Sequence, residues 1–474
     1  MLPKICLPKK PLYQKVELKV DFFEWFKLIE DNFEYCFLLE SLGDQNFDAR
    51  YSIIGFGPAS IIKAKDWKLY ITKPTVNEIF EPTNSFNQVD SELELIGLNP
   101  YWALRDIVPQ DIISRNYAGG LVGYLSYEGV NYLEPKLNLE PHPEFHQFQF
   151  GVYTDGLIYD QMTGEISYFY YHQPRLEQVL KLLNQKPRSK TLKVQFLGHT
   201  LSQTDHRRVV SETMEEIKAG NSFQCEVGFK SKYLFEGENY LAIYEKLRQV
   251  NPSPYMFYCK FGSEILLGAS PELLFRTRNR EIETVPLAGT IRRGQTLEED
   301  RNLARELLND PKEIAEHNML VDLHRNDIGR VAVFGSVKVR RLMEIKKFSH
   351  VQHISSEIVG ILRDGEDMFT GLASLFPGGV LSGAPKIETI KIIARNENEP
   401  RGPYGGALGQ FGFNGNCTFC IPIRSLFIKR QGPQATAYTQ TCSGIVFDSD
   451  PDKEYQEIIN KLEAMKRVLD SFAK

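Results

Sequence analysis

Cys36-Phe-Leu-Leu-Glu-Ser41, Arg50-Tyr-Ser-Ile-Ile-Gly55, Ser60-Ile-Ile-Lys63 and Lys68-Leu-Tyr-Ile-Thr72 are short runs of aliphatic, aromatic and β-branched residues separated by turn formers. They match strands rather than helices. The pattern continues to a segment from Gly151 to Tyr170 that turns back at Thr163-Gly164, so the region from Cys36 to Tyr170 reads as antiparallel sheet. Between Asn184 and Gln203 the chain becomes polar and basic (Pro187, Arg188, Ser189, Lys190), and a helix-like run from Asp205 to Ala219 then stops at Gly220. This places a boundary between residues 1–202 and residues 203–474. The second part alternates helices, near 239–249, 297–309, 311–328, 385–395 and 451–472, with strand pairs, one turning at Asn414-Gly415.

With 474 residues, 42% hydrophobic and 25% charged, the chain can bury a large core and is too apolar to be disordered. Acidic residues outnumber basic ones by 61 to 56, giving net −5 and no general attraction for a phosphodiester backbone, which argues against nucleic acid as a partner. No apolar run approaches the roughly 18 residues needed to cross a bilayer. The start, Met1-Leu-Pro-Lys-Ile-Cys-Leu-Pro-Lys-Lys10, lacks a signal-peptide core. A cytoplasmic protein without a membrane partner is expected. Cys417 and Cys420, the closest pair among seven cysteines, lie three apart in a strand-like stretch and point to opposite faces. They read as reduced thiols rather than metal ligands.

Asp310-Pro311 is a strong helix start and Gly329 a suitable stop. On that helix Glu313, Glu316, Leu320 and Leu323 share one stripe, so two carboxylates lie where apolar residues belong. Glu313 could complete a capping box with Asp310; Glu316, a turn deeper, could not. The last helix repeats the theme after Asp450-Pro451, with Glu454, Glu457 and Lys461 beside a packing stripe of Tyr455, Ile458, Leu462, Met465 and Leu469. Glu457 and Lys461 alone would be an ordinary surface pair. If the two helices converge, carboxylates about 4 Å apart at an effective dielectric near 20 repel by about 4 kcal/mol, which calls for a cation or a shared proton. All-oxygen ligands favour Mg²⁺.

The stretch from Pro377 to Lys386, Pro-Gly-Gly-Val-Leu-Ser-Gly-Ala-Pro-Lys, is not a phosphate-binding P-loop, because Ala384-Pro385 replaces the required lead into a helix. Gly289 before Thr290, and Gly405-Gly406 after Tyr404, read as places where backbone approaches a small ligand. The chain carries an ordered set of motifs: Gly119-Gly-Leu-Val-Gly-Tyr124, Asn251-Pro-Ser-Pro-Tyr-Met256, Gly268-Ala-Ser-Pro-Glu272, Pro286-Leu-Ala-Gly-Thr290 and Asp310-Pro-Lys-Glu-Ile-Ala-Glu-His317. Further along come Ser349-His-Val-Gln-His353, Arg401-Gly-Pro-Tyr-Gly-Gly406, Ile423-Arg424 and Asp448-Ser-Asp-Pro451. Together they closely resemble the chorismate-utilising enzymes, and within them the large, aminating subunits of anthranilate synthases.

That resemblance implies an α/β (α+β) fold in which large antiparallel β-sheets pack as a sandwich with helices outside. Residues 1–202 would form a β-rich domain with a regulatory segment, and 203–474 the chorismate-binding catalytic domain, with the sheets intertwined. It implies that Glu316 and Glu457 hold Mg²⁺ directly, with Glu313 and Glu454 acting through waters. Arg424, Tyr404 and Lys461 would grip the substrate carboxylates together with backbone around Gly289, Thr290, Cys442, Ser443 and Gly444. Chorismate is a dianion, which suits a metal ion at one carboxylate and Arg or Lys at the other.

Relatives that add water carry a lysine base where Gln224 stands, and glutamine cannot deprotonate water, so ammonia is the implied nucleophile. Aminodeoxychorismate synthases commonly carry a nucleophilic lysine at the position of Ala288, which alanine cannot replace. The implied reaction is ammonia attack at C2 with loss of the C4 hydroxyl, then elimination of pyruvate to give anthranilate. Glu272 matches the acid for the hydroxyl, and His353 the residue assisting the second step. A separate glutamine amidotransferase subunit would supply ammonia. Leu39, Glu40, Ser41, Asn251, Pro254, Tyr255 and Met256 match a pocket for L-tryptophan as inhibitor, with Glu40 and Ser41 near its amine. Cys442 stands where a glycine is usual and Val380 where Thr or Ser is usual. These departures keep in view a non-catalytic homologue that binds tryptophan or a partner, beside the nearest alternative, an aminodeoxychorismate synthase.

Overall fold

The structure, a computed structural model, describes residues 2–17, 20–42, 50–72, 79–81, 91–348 and 351–473. Ser349 and His350 of the motif ending at His353 lie outside the described residues. Two antiparallel sheets, each of twelve strands among the described residues, carry the fold. The first runs, in hydrogen-bonded order, Leu12–Val16, Glu165–Tyr170, Asp155–Asp160, Tyr51–Phe56, Tyr35–Glu40, Tyr255–Phe261, Glu264–Ser270, Ser425–Gln431, Gln434–Ile445, Gln224–Gly237 and Leu192–His199. The second runs from Leu287–Arg292 through Val351–Ile361, Glu281–Val285, Leu273–Arg278, Cys417–Cys420, Ala407–Gly412, Gly120–Leu125 and Phe148–Tyr153 to Ser60–Lys65, Lys68–Thr72 and Glu92–Leu95. Both sheets draw strands from either side of residue 202.

Strand Tyr35–Glu40 shows why the sheets pack face to face. Its side chains alternate, so Phe37 joins the core between the sheets, with Phe150, Phe411 and Phe419, while Cys36 and Leu38 join a second core under the outer helices. Those helices include Phe22–Asn32, Tyr240–Val250 and Pro451–Asp470. The turns expected at Thr163-Gly164 and Asn414-Gly415 join paired strands.

Two regions differ from the sequence reading. The polar stretch 184–203 contains Leu192–His199, an edge strand on Gln224–Gly237; edge strands with one wet face lack a continuous apolar signal. Within the β-rich half, Pro100–Ile107 is a helix, begun by Asn99, whose side chain accepts from the amides of Tyr101 and Trp102, and by Pro100 in the first turn. Eight residues are too few to display a helical period. Among the described residues no helix is long and apolar enough to cross a membrane.

Candidate active site

The two acid-bearing helices form where their caps place them. Asp310 accepts from the amides of Lys312 (2.8 Å) and Glu313 (3.3 Å), and Asp450 from those of Asp452 (2.9 Å) and Lys453 (3.1 Å). Each has proline in its first turn. Leu320 is buried on the first helix, and Ile458, Leu462, Met465 and Leu469 on the last, so packing of these stripes fixes the rotation of both.

That rotation brings the glutamates close enough for their charges to interact. Burial raises the carboxyls of Glu313, Glu316 and Glu454 above the usual range; the charge of Glu316 adds to the effect on Glu313, and that of Glu457 adds to it on all three. Glu313 does not spend its carboxylate on a capping box: its Oε2 is 2.9 Å from where a side chain on Gly289 would begin, which explains a glycine there with φ +63°. Glu316 accepts from Gln224 Nε2 (3.1 Å) and Glu454 from Ser449 Oγ (2.8 Å). Glu457 pairs with Lys461 at 2.7 Å, and Lys461 Nζ also donates to the Cys442 carbonyl (3.0 Å). Lys461 keeps 43% of its side chain accessible. Burial works against its charge, but Glu457 and Glu226 hold its pKa above the ordinary lysine value. Among the described residues no three His, Cys, Asp or Glu side chains close into a ready-made metal cage. The convergent all-oxygen set nevertheless fits Mg²⁺, which binds through one or two carboxylates and completes its shell with water and substrate oxygens.

Glu272 and His353, the candidates for acid–base work, are both buried. Glu272, between strands Glu264–Ser270 and Leu273–Arg278, is 2% exposed, and its Oε1 accepts from the Leu287 amide (3.0 Å). Burial pushes its carboxyl to about 8. His353 is drawn down to about 3 by burial and then by Arg424, so it is neutral. Its Nδ1 lies 3.1 Å from the Gly289 carbonyl and 3.0 Å from Thr290 Oγ1. A carbonyl can only accept, so Nδ1 carries the proton and the unprotonated Nε2 accepts from Arg424 Nη2 at 3.5 Å. Strand pairing places Thr290 opposite His353. Arg424 reaches the site from a left-handed residue, φ +52°, just before Ser425–Gln431.

Strands Gln224–Gly237 and Gln434–Ile445 supply the remaining wall. Gln224 Nε2 bonds Glu226 Oε1 at 3.2 Å, and Glu226 Oε2 accepts from Cys442 Sγ at 3.1 Å, which in turn takes the Tyr404 hydroxyl at 3.1 Å. The Cys442 side chain thus faces the cleft rather than the opposite layer. Ser443 is buried and contributes to the environment of Glu454. A side chain on Gly444 would begin 2.3 Å from Gln224 Nε2. Glu226 was not singled out in the sequence, although its place two residues after Gln224 in a strand puts both on one face. Gly406 packs against a strand instead of lining the cleft: a side chain there would meet the Leu125 carbonyl at 2.1 Å. Lys386, at the end of the glycine-rich stretch, is tied to Asp327 at 2.7 Å.

A second cavity, of about 630 Å³, lies between the sheets, and its lining includes Leu39, Glu40, Ser41, Pro254, Tyr255 and Met256. Asn251 is buried beside this segment, with Nδ2 lacking a partner among the described residues, as does Ser41 Oγ. The Glu40 carboxylate points through the strand to the helix side, where Arg248 holds both oxygens (2.5 and 3.0 Å) and Tyr244 donates at 2.8 Å. The carboxylate is thus spent on Arg248 and Tyr244, while the residue itself still lines the cavity.

Residues 34–467 match the family described as chorismate binding enzyme. The chain is 51% identical to anthranilate synthase component 1 of Leptospira biflexa, over 99% of this chain and 98% of that one. It is 41% identical to the protein of the same name from Methanothermobacter thermautotrophicus, over 98% and 95%. Among solved structures, anthranilate synthase component I from Streptococcus pneumoniae superposes with a TM-score of 0.74 at 30% identity, covering 89% of this chain and 93% of that one. The Escherichia coli isochorismate synthase MenF shares the fold, with a TM-score of 0.71 at 18% identity. The sandwich of two antiparallel sheets, the cleft and these matches agree, and the chain belongs to the chorismate binding enzyme family.

Proposed function

We propose that this chain is the chorismate-aminating component of an anthranilate synthase, converting chorismate and ammonia to anthranilate and pyruvate. The observation that carries the reading is a buried carboxyl, Glu272, whose pKa burial raises, set with a buried histidine, His353, 3.5 Å from the half-buried Arg424, and with glutamates of two helices whose charges interact. Glu316 and Glu457 would hold Mg²⁺, with Glu313 and Glu454 behind them, and the ion when bound would neutralise one substrate carboxylate. Arg424 supplies a planar two-point partner and Lys461 a point charge for the dianion, assisted by Tyr404, Thr290 and the backbone at Gly289, Cys442, Ser443 and Gly444.

Ammonia adds at C2 with its own lone pair, so Gln224 has to position it rather than deprotonate it. The ring double bonds shift, the C4–O bond breaks, and the proton on Glu272 leaves with the hydroxyl as water. In the second step His353 would assist, by proton transfer from C2 or by polarisation, as the C3–O bond breaks, the C2 proton is lost and enolpyruvate departs to become pyruvate. Ala288 offers no nucleophile, which disfavours the aminodeoxychorismate reaction.

A glutamine amidotransferase subunit supplies ammonia in its unprotonated form, since free ammonium is not nucleophilic. L-tryptophan is the proposed occupant of the 630 Å³ cavity, with Ser41 and Asn251 offering unpaired polar atoms and Pro254, Tyr255 and Met256 an apolar wall. The enzyme would act in the cytosol. Incubation with chorismate, Mg²⁺ and an ammonium salt tests the reading: anthranilate and pyruvate in equal amounts are expected, and 4-amino-4-deoxychorismate as the sole product, or no turnover, would refute it.

A further inference from the structure

Gln224 has a primary amide whose two ends are chemically opposite, and which end meets the nucleophile decides what the residue can do. Its Nε2 is bracketed by two acceptors, Glu316 Oε1 at 3.1 Å and Glu226 Oε1 at 3.2 Å. Carboxylate oxygens accept, so the amide is fixed with its NH₂ towards the acids and its Oε1 away from them. That Oε1 is buried and has no partner among the described residues. An orphaned buried acceptor costs about 1–3 kcal/mol unless a donor satisfies it.

Glu316 alone would be a weak guide for the amide, because it also serves the acidic cluster of the two helices. Glu226 stands on a strand outside those two helices, although its charge also supports that of Lys461. It is buried on the strand face it shares with Gln224, and its other oxygen is held by the Cys442 thiol, itself held by the Tyr404 hydroxyl. The chain Tyr404, Cys442, Glu226, Gln224 runs from one wall of the cleft to the other and terminates at the free carbonyl of the amide. It also gives a physical account of Cys442: the thiol bridges Glu226 and Tyr404, where a glycine would leave Glu226 Oε2 without this donor.

We propose that Glu226 is a positioning residue for the nucleophile: it locks the Gln224 amide so that Oε1 receives an N–H of ammonia and leaves the ammonia lone pair free to attack. The inference rests on the ammonia reading above. An inverted amide would present N–H donors instead, which compete for that lone pair. Glu226 touches neither substrate nor metal in this scheme; it acts through Gln224.

Steady-state kinetics separate this role from a structural one, with chorismate and an ammonium salt varied independently. Glu226→Leu keeps the volume but removes the acceptor, and should raise the KM for ammonia about tenfold, the effect of one lost hydrogen bond, with the KM for chorismate within about twofold of the parent's. Glu226→Gln keeps an acceptor towards Gln224 and should restore the ammonia KM. If the leucine variant does not fold, Glu226→Asp, which withdraws the acceptor by one methylene, carries the same prediction as leucine. An unchanged ammonia KM in the leucine (or aspartate) variant, an equal rise in both KM values, or a glutamine variant as impaired as the leucine one would overturn the proposal. Failure of the parent protein to form anthranilate at all would instead refute the reading beneath it.

Discussion

Replacing Glu272 by glutamine tests whether burial stores a proton for the leaving hydroxyl. The carboxyl is 2% exposed and stands near 8 instead of the ordinary 4.5, chiefly through burial; the Leu287 amide opposes the shift, Glu226 adds to it and Arg424 opposes it. Because the folded value is the higher one, the folded protein keeps a proton that the unfolded chain releases. Stability from this group is therefore complete below about pH 4.5 and is lost as pH rises to about 8, by roughly 4–5 kcal/mol. Glutamine does not titrate and can still accept from the Leu287 amide. Urea unfolding of parent and Glu272→Gln at pH 5, 6.5 and 8 should show the variant gaining several kcal/mol relative to the parent across that range. Its anthranilate formation should fall about 10²- to 10⁴-fold, the usual worth of a general acid. The parent's rate per free ammonia should decline above about pH 8 as Glu272 ionises. Parallel stability curves for the two proteins would refute the argument, since they would mean that Glu272 titrates alike in the folded and unfolded chains.

Glu316→Gln removes one proposed metal ligand and relieves repulsion among the acids, so it should lose Mg²⁺-dependent turnover by at least about tenfold while its thermal midpoint holds or rises; a lowered midpoint with turnover intact would count against the metal site. Gly444→Ala would place a methyl 2.3 Å from Gln224 Nε2 and 2.7 Å from Glu226 Oε1. Its ammonia KM should rise more than its chorismate KM, as read by the same kinetics. Ser41→Leu fills the inter-sheet cavity, and should abolish inhibition by L-tryptophan with turnover unchanged; equal inhibition of variant and parent would move the effector elsewhere.

Much of the site was legible because its residues break local rules. Glu316 on an apolar stripe and the paired Asp-Pro helix starts marked both acidic helices, and these begin at Pro311 and Pro451 as expected. Glu272 and His353 were recognisable by motif, but their protonation was not, because it follows from burial by strands far apart in the chain. Glu226 escaped notice since a lone glutamate in a strand ordinarily faces solvent, and only its pairing with Cys442 across the sheet shows otherwise. The direction of the Glu40 carboxylate was equally hidden: a strand residue that lines a cavity can still direct its side chain to the other face, here to Arg248. The order of strands in the sheets was beyond reach, because Tyr35–Glu40 pairs with Tyr255–Phe261 from the far half of the chain.

The account depends most on two acidic helix turns meeting round one divalent ion that receives a chorismate carboxylate. Titration calorimetry of chorismate into the protein, with Mg²⁺ and with the metal chelated, measures that dependence directly. The account predicts that binding weakens by about tenfold or more without the ion, as expected when a charge-assisted contact to a carboxylate is lost. Equal chorismate affinity in the two conditions would contradict it.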